Sequence, residues 1–132
     1  MADRLRVEVP FPAAGEGIAL KFGNAGCAEL QKRYGAEWFT AAHTRLNNFD
    51  PEFMKACVEI GAVKDGKRAK VDFDTIDVPL MQIAEPILDA LYMSVHGMTF
   101  ADYLIEIGKR VEVLNDTGNP TNESSPENTS PT

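Results

Sequence analysis

The chain has 132 residues, of which 44% are hydrophobic and 25% are charged. A chain of this length and composition can bury the core of one globular domain. Its 20 acidic residues outnumber 13 basic residues, which gives a formal net charge of −7. Because phosphate binding needs a basic surface, this charge argues against nucleic acid as a partner.

The N-terminal segment and the cysteines bear on the compartment. MADRLRVEVP lacks the apolar core of a secretory signal, and no stretch approaches the roughly 20 apolar residues of a membrane span. We therefore expect a cytoplasmic protein that is not secreted and does not enter a membrane. Cys27 and Cys57 fall at apolar positions of predicted helices, which favours free, buried thiols over a disulfide.

The first predicted element is a β-hairpin. Residues 5–9 alternate between apolar and polar side chains, and the alternation returns over residues 18–22. Prolines and glycines between residues 10 and 17 form the connection. Since a two-stranded hairpin is only marginally stable alone, we expect it to pack on the helices that follow.

Two helices are predicted directly after the hairpin. The first covers residues 25–34, with Asn24 as its N-cap and Gly35 as the left-handed residue that ends it. Aromatic and aliphatic residues then recur at helical spacing and predict a second helix that ends near Asn47.

The third helix has the clearest start signal. Asp50 is a favoured N-cap residue, and Pro51 suits the first helical position, so a helix is predicted from there to Gly61. Its predicted apolar side faces the core. The helix also carries aromatic and thioether side chains that we assign to a binding surface below.

An irregular segment covers residues 62–77. Asp65-Gly66 predicts a turn and a short hairpin that pairs Val63 with residues 71–73. Four basic residues surround this turn, and they favour a solvated loop over a site for phosphate or an acidic partner. They are Lys64, Lys67, Arg68 and Lys70.

Two more helices complete the predicted body. Asp77 followed by Pro79 predicts the start of the fourth helix, and Gly97 its end. Pro86 lies inside this helix and predicts a kink or a break. Thr99 predicts the start of the fifth helix. Its predicted inward residues are Phe100, Tyr103, Leu104, Ile107, Val111 and Leu114.

The segment 115–132 has no aliphatic or aromatic residue, so we expect a disordered polar tail. The remaining residues 1–114 are predicted to form a single helical domain with an N-terminal hairpin. The predicted fold class is therefore α+β, mostly α, with the hairpin packed on a bundle of about five helices.

Patterns that would indicate chemistry are weak. His43 and His96 lack the spacing of a zinc site, and no nucleophile or phosphate-loop motif occurs. Asp72, Asp74 and Asp77 do not fit the spacing of an EF-hand loop. We expect no catalytic residue, no metal and no cofactor, and hence a protein that is not an enzyme.

Apolar side chains that can repack around varied partners remain as the functional signal. Three of the five methionines lie around the fourth helix, although core filling is the competing interpretation for each one. Methionines and phenylalanines at helical spacing give the predicted protein-binding residues. These are Phe49, Phe53, Met54, Met81, Met93 and Met98.

Two regions carry a resemblance to a family. The first holds the strand, the Phe-Gly-Asn turn and the helix that follows it, and the second holds the last two helices. The matching stretches are residues 18–24, 28–30, Gly35, 77–80, 87–91 and 97–100. Over roughly residues 17–110 the chain resembles small phage tail assembly chaperones, including the gene-transfer-agent-like branch.

The resemblance implies a non-catalytic role. Such chaperones coat the apolar tape measure protein in the host cytoplasm and help to recruit tail tube protein around it. The implied partners are these two proteins. A homo-oligomer is a further partner considered, and the sequence leaves the oligomeric state open. The alternative is a structural virion subunit of the tail or the head–tail connector; a small enzyme and a DNA-binding regulator are the other classes considered.

Overall fold

The computed structural model describes residues 8–118, with side chains described as far as Glu112. Over these residues the fold is α+β and mostly helical, as the sequence predicts. The strand predicted over residues 5–9 lies partly outside the described residues. The predicted tail lies outside them from residue 119 onward.

Helices and short strands make up the described chain. The helices are α1 (Asn24–Tyr34), α2 (Trp38–Asn47), α3 (Pro51–Gly61), α4 (Leu80–His96) and α5 (Phe100–Gly118). The strands are β1 (Val9–Pro10), β2 (Ile18–Leu20), β3 (Ala62–Lys64) and β4 (Lys67–Arg68). Single 3₁₀ turns occur at Pro12–Ala14 and Phe73–Thr75.

The four strands form one antiparallel sheet in the order β1-β2-β3-β4. β1 and β2 form the predicted hairpin, with Val9 opposite Leu20. β2 also pairs with β3, where Leu20 lies opposite Ala62. The two hairpins are thereby joined into one sheet across three intervening helices.

The hairpin between β3 and β4 turns at Asp65-Gly66, as predicted. Both residues have positive φ angles, 54° and 79°, which matches a two-residue hairpin turn. The predicted strand partner is wrong, because Val63 pairs with Arg68 and not with residues 71–73. A two-residue turn brings the nearest following residues into the ladder, so a partner further along the chain would need a longer loop.

The helix boundaries follow local signals closely. Asp50 accepts hydrogen bonds from the N–H groups two and three residues later, at 3.1 and 3.4 Å, and so caps α3 as predicted. The predicted cap of α1 is wrong by one residue, because Gly23 occupies the N-cap position and Asn24 is already helical. Gly35 ends α1 with a φ of 92°, which favours glycine.

α4 is continuous through Pro86, where the sequence predicts a kink or a break. The helix runs without interruption from Leu80 to His96, so the predicted break does not occur. Pro79 stands at its N-cap position, where the missing N–H of proline leaves no donor unpaired. Gly97 ends the helix in the left-handed conformation, as predicted.

The core is formed by one side of α3 and α4 packed against β2 and the segments around it. Its largest fully buried side chains are Phe11, Leu20, Phe22, Leu30, Phe53, Met54, Cys57, Val58, Ile83, Ile87 and Leu91. The two cysteines are not joined in a disulfide; Cys57 is buried and Cys27 half-buried.

The chain forms two compact units that divide after Phe100. α5 continues to Gly118, into the segment predicted to be disordered. The predicted inward orientation is wrong for Leu104 and Val111, which keep 53% and 49% of their surface exposed.

Candidate protein-binding groove

An apolar groove lies between the end of α2 and the first half of α4. It has a volume of about 180 Å³. Its lining residues are Leu46, Asn47, Phe49, Met81, Ala84, Glu85 and Leu88. Because a cavity of about 150 Å³ holds a benzene molecule, the groove has room for one large apolar side chain.

Phe49 forms one wall of this groove in a strained backbone conformation. Its N–H donates to the carbonyl of Leu46 and the N–H of Asp50 donates to that of Arg45, both at 3.0 Å. This is the hydrogen-bond pattern of a Schellman motif, whose left-handed residue is usually glycine. Phe49 occupies that position with a φ of 53°, at a cost of about 1–2 kcal/mol for a residue with a Cβ.

Strain at Phe49 coincides with exposure of its ring. The residue keeps 40% of its surface accessible and is not a member of the buried core. Residues held in costly backbone conformations cluster at binding and active sites. Among the groove residues, Phe49 is therefore the one whose conformation is least explained by the fold alone.

Met81 faces Phe49 from the first turn of α4. Its side chain is 55% exposed. Ala84 and Leu88 follow three and seven residues later and so lie on the same side of the helix. A flexible thioether at the opening can adjust to apolar groups of different shape.

The structure brings together two of the six predicted binding residues, Phe49 and Met81. It places Phe53 and Met54 in the core, where they are 1% and 0% exposed. A partner cannot reach these two side chains while the domain is folded. We therefore exclude them from the candidate site.

The other two predicted residues, Met93 and Met98, are half-buried and do not line the groove. Sequence reasoning missed Leu46, Ala84 and Leu88 as site residues. Leu46 and Ala84 are buried members of the apolar stripes of α2 and α4. Their stripe positions predict burial, and nothing local shows that one edge of the buried surface is open.

A larger cavity of about 530 Å³ lies beside β4. Its lining residues are Glu59, Arg68, Ala69, Lys70 and Val71. The Arg68 guanidinium donates to the backbone carbonyl of Glu59 at 2.7 and 3.2 Å, and so satisfies a carbonyl in the last turn of α3. The four basic residues around the turn are exposed, as a solvated loop predicts. This geometry gives Arg68 a structural role.

Both histidines lie around Tyr92. His43 Nδ1 is 3.1 Å from the Phe39 carbonyl, and His43 Nε2 is 2.5 Å from the Tyr92 hydroxyl. Because a carbonyl only accepts, the neutral His43 ring carries its proton on Nδ1, and Tyr92 donates to Nε2. Tyr92 also stacks on His96 at 5.3 Å between ring centroids. This cluster joins α2 to α4, and the sequence could not predict it because its members are distant along the chain.

Burial determines the protonation of Cys57, which is the only thiol in the core of the described chain. Desolvation raises the pKa of Cys57 far above its ordinary value, so the thiol stays protonated near neutral pH. A protonated buried thiol is a poor nucleophile and a poor metal ligand. Within residues 8–118 no cluster of three or more His, Cys, Asp or Glu side chains could hold a metal ion.

Comparison with known proteins found no matching protein-family model, curated protein or solved structure. Among the helices of the described segment, none combines the length and hydropathy that crossing a membrane requires. The candidate site therefore stands on its own geometry.

Proposed function

We propose that the groove binds apolar side chains of a helical segment in another protein, and that the chain is a non-catalytic phage tail assembly chaperone. The observation that carries the proposal is Phe49, a strained residue whose aromatic ring is exposed at the groove. A glycine at this position would relieve the strain, and the exposed part of the phenylalanine ring is open to a partner.

The groove suits helix-in-groove recognition, in which an amphipathic helix inserts apolar anchors spaced three or four residues apart. Burying one such anchor contributes about 1.5–3 kcal/mol. One anchor gives weak binding on its own, so each contact would be short-lived. Weak contacts repeated along a long apolar chain would mask that chain and still allow release.

Charge supports the same role. A net charge of −7 keeps a complex between this protein and an aggregation-prone helix in solution. The resemblance of residues 17–110 to tail assembly chaperones supplies the partner, which is the tape measure protein, with tail tube protein recruited afterwards. A chaperone leaves before the particle is complete. A structural subunit of the tail or connector would instead remain in purified particles.

Co-expression with the tape measure protein tests the proposal. The chain should raise the soluble fraction of the tape measure protein severalfold, and Phe49→Gly should remove most of that gain. The free energy of unfolding of this variant should be at most about 1 kcal/mol below that of the parent, because relief of the left-handed strain offsets the lost ring contacts.

The matched control for Phe49→Gly is Val95→Ala. Alanine replaces glycine here because glycine would disturb the interior of α4. Val95 is 45% exposed on the same helix as Met81 but outside the groove. The control should behave like the parent. Equal solubility of the tape measure protein with Phe49→Gly and with the parent would overturn the proposal.

A further inference from the structure

α5 exposes an apolar stripe along one side. The stripe consists of Ala101, Leu104, Ile105, Gly108 and Val111, whose spacing places them within one face of the helix. Three of its aliphatic side chains keep about half of their surface exposed: 53% for Leu104, 57% for Ile105 and 49% for Val111. Single exposed aliphatic residues are ordinary, whereas several on one face indicate an interaction surface.

Gly108 lies at the centre of this stripe. Glycine inside a helix costs about 1 kcal/mol relative to alanine. A Cβ built on Gly108 would meet no atom within 4 Å, so packing within the described chain does not require glycine there. The close approach of another helix would require it, because the missing side chain leaves a notch between larger neighbours.

We propose that this stripe pairs with the same stripe of a second copy of the chain, with the two α5 helices antiparallel. When the helices cross level with Glu106, Leu104 of each copy lies beside Gly108 of the other. The same register sets Ala101 beside Val111 of the second copy. Leu104 and Val111 thus each meet a small residue, which is the arrangement that close packing requires.

The charges beside the stripe select the antiparallel orientation. Asp102 and Lys109 flank the same edge, seven residues or about two turns apart. In the antiparallel register Asp102 of each copy lies near Lys109 of the other. A parallel pair would set this edge against the opposite edge of the partner helix, so these ion pairs would not form and the pattern disfavours it. Exposed ion pairs contribute only about 0–1 kcal/mol each, and their effect is on orientation more than on affinity.

The size of the stripe sets the strength of the dimer. It covers about three turns of the helix, so the pair buries less than the roughly 1,200 Å² of a standard interface. The dimer is therefore expected to dissociate on dilution. The dimer does not depend on what the groove binds, and it would place two grooves in one complex.

Analytical ultracentrifugation of the full chain across a wide range of concentration tests this inference. The expected result is a monomer–dimer equilibrium. Gly108→Gln fills the notch and should raise the dimer Kd roughly tenfold or more, which corresponds to about 1.4 kcal/mol. Circular dichroism should show undiminished helix content, because glutamine is a better helix former than glycine.

Arg110→Gln is the matched control, since position 110 lies about 200° around the helix from position 108. This variant should dimerise like the parent. Lys109→Asp alone should weaken the dimer, and Asp102→Lys combined with Lys109→Asp should restore it. A chain that stays monomeric at every concentration, or a dimer that Gly108→Gln leaves unchanged, would overturn the inference.

Discussion

α3 and α5 are both amphipathic helices, and their apolar faces meet different environments. α3 places Phe53, Met54 and neighbouring apolar residues in the core, almost fully shielded from solvent. α5 leaves Leu104 and Val111 about half exposed. The spacing of apolar residues identifies the side of a helix that needs covering, but it does not identify what covers it. For α3 the cover is the chain itself, and for α5 we infer a second copy.

The largest expected effect comes from truncating one large apolar residue on each helix. Phe53→Ala should lower the free energy of unfolding by about 3–5 kcal/mol, because it removes a buried ring and leaves a cavity. Leu104→Ala should change it by no more than about 0.5 kcal/mol in dilute solution, because the side chain is half exposed. Urea unfolding of both variants measures the difference, and equal losses would remove the contrast between the helices.

The glycines of the two helices should respond to alanine with opposite signs. A Cβ at Gly61 in α3 would lie 2.7 and 2.8 Å from two atoms of the Phe22 ring, which is buried and cannot move away. Gly61→Ala should therefore cost about 1–3 kcal/mol through overpacking. Gly108→Ala in α5 meets nothing in the described chain and should favour the helix by about 0.5–1 kcal/mol.

Thermal unfolding in dilute solution, where a weak dimer has dissociated, measures both glycine variants. The melting temperature should fall for Gly61→Ala and stay level or rise for Gly108→Ala. A fall of similar size in both would mean that the environments of the two glycines do not differ as described.

A smaller effect comes from alkaline pH and involves one group in α3 and one in α1. Burial raises the pKa of the Cys57 thiol above its unfolded value, and burial also raises the pKa of Tyr34. The folded state thus retains protons that the unfolded state loses above about pH 9. The stabilisation is complete at lower pH and is lost as the pH rises.

Unfolding free energies between pH 8 and pH 10.5 measure this dependence. The free energy should fall by up to about 1.4 kcal/mol per pH unit for Cys57, and by less for the partly exposed Tyr34. Cys57→Ala is less stable at every pH, but its decline with pH should be shallower. If the unfolding free energy of Cys57→Ala falls with pH as steeply as that of the parent, the role given to the buried thiol is contradicted.

Features set by a few neighbouring residues were predictable from the sequence. Asp50-Pro51 fixes the start of α3, and Asp65-Gly66 fixes a hairpin turn. The pairing of β2 with β3 was not predictable, because it joins segments separated by three helices and depends on how those helices pack. Contacts between distant residues also create the cluster around Tyr92.

The groove shows the same limit at close range. Phe49 and Phe53 are four residues apart, and the sequence predicts that both contact a partner. The backbone is left-handed at Phe49, between α2 and α3, and Phe49 lies at the groove whereas Phe53 lies in the core. A conformation that glycine normally adopts gave no sequence signal, because phenylalanine occupies the position. The sequence alone therefore did not separate the phenylalanine at the groove from the one in the core.

Methionine methyl NMR tests the central claim most directly, because one residue type reports on the groove, the core and the half-buried surface together. A fragment of the tape measure protein with an apolar helix is added to chain labelled at its methionine methyl groups, assigned with single Met→Leu variants. We predict that the Met81 signal shifts or broadens, whereas that of Met54 does not change. Perturbation at Met93 or Met98 with an unchanged Met81 signal would contradict the account, as would no perturbation at all.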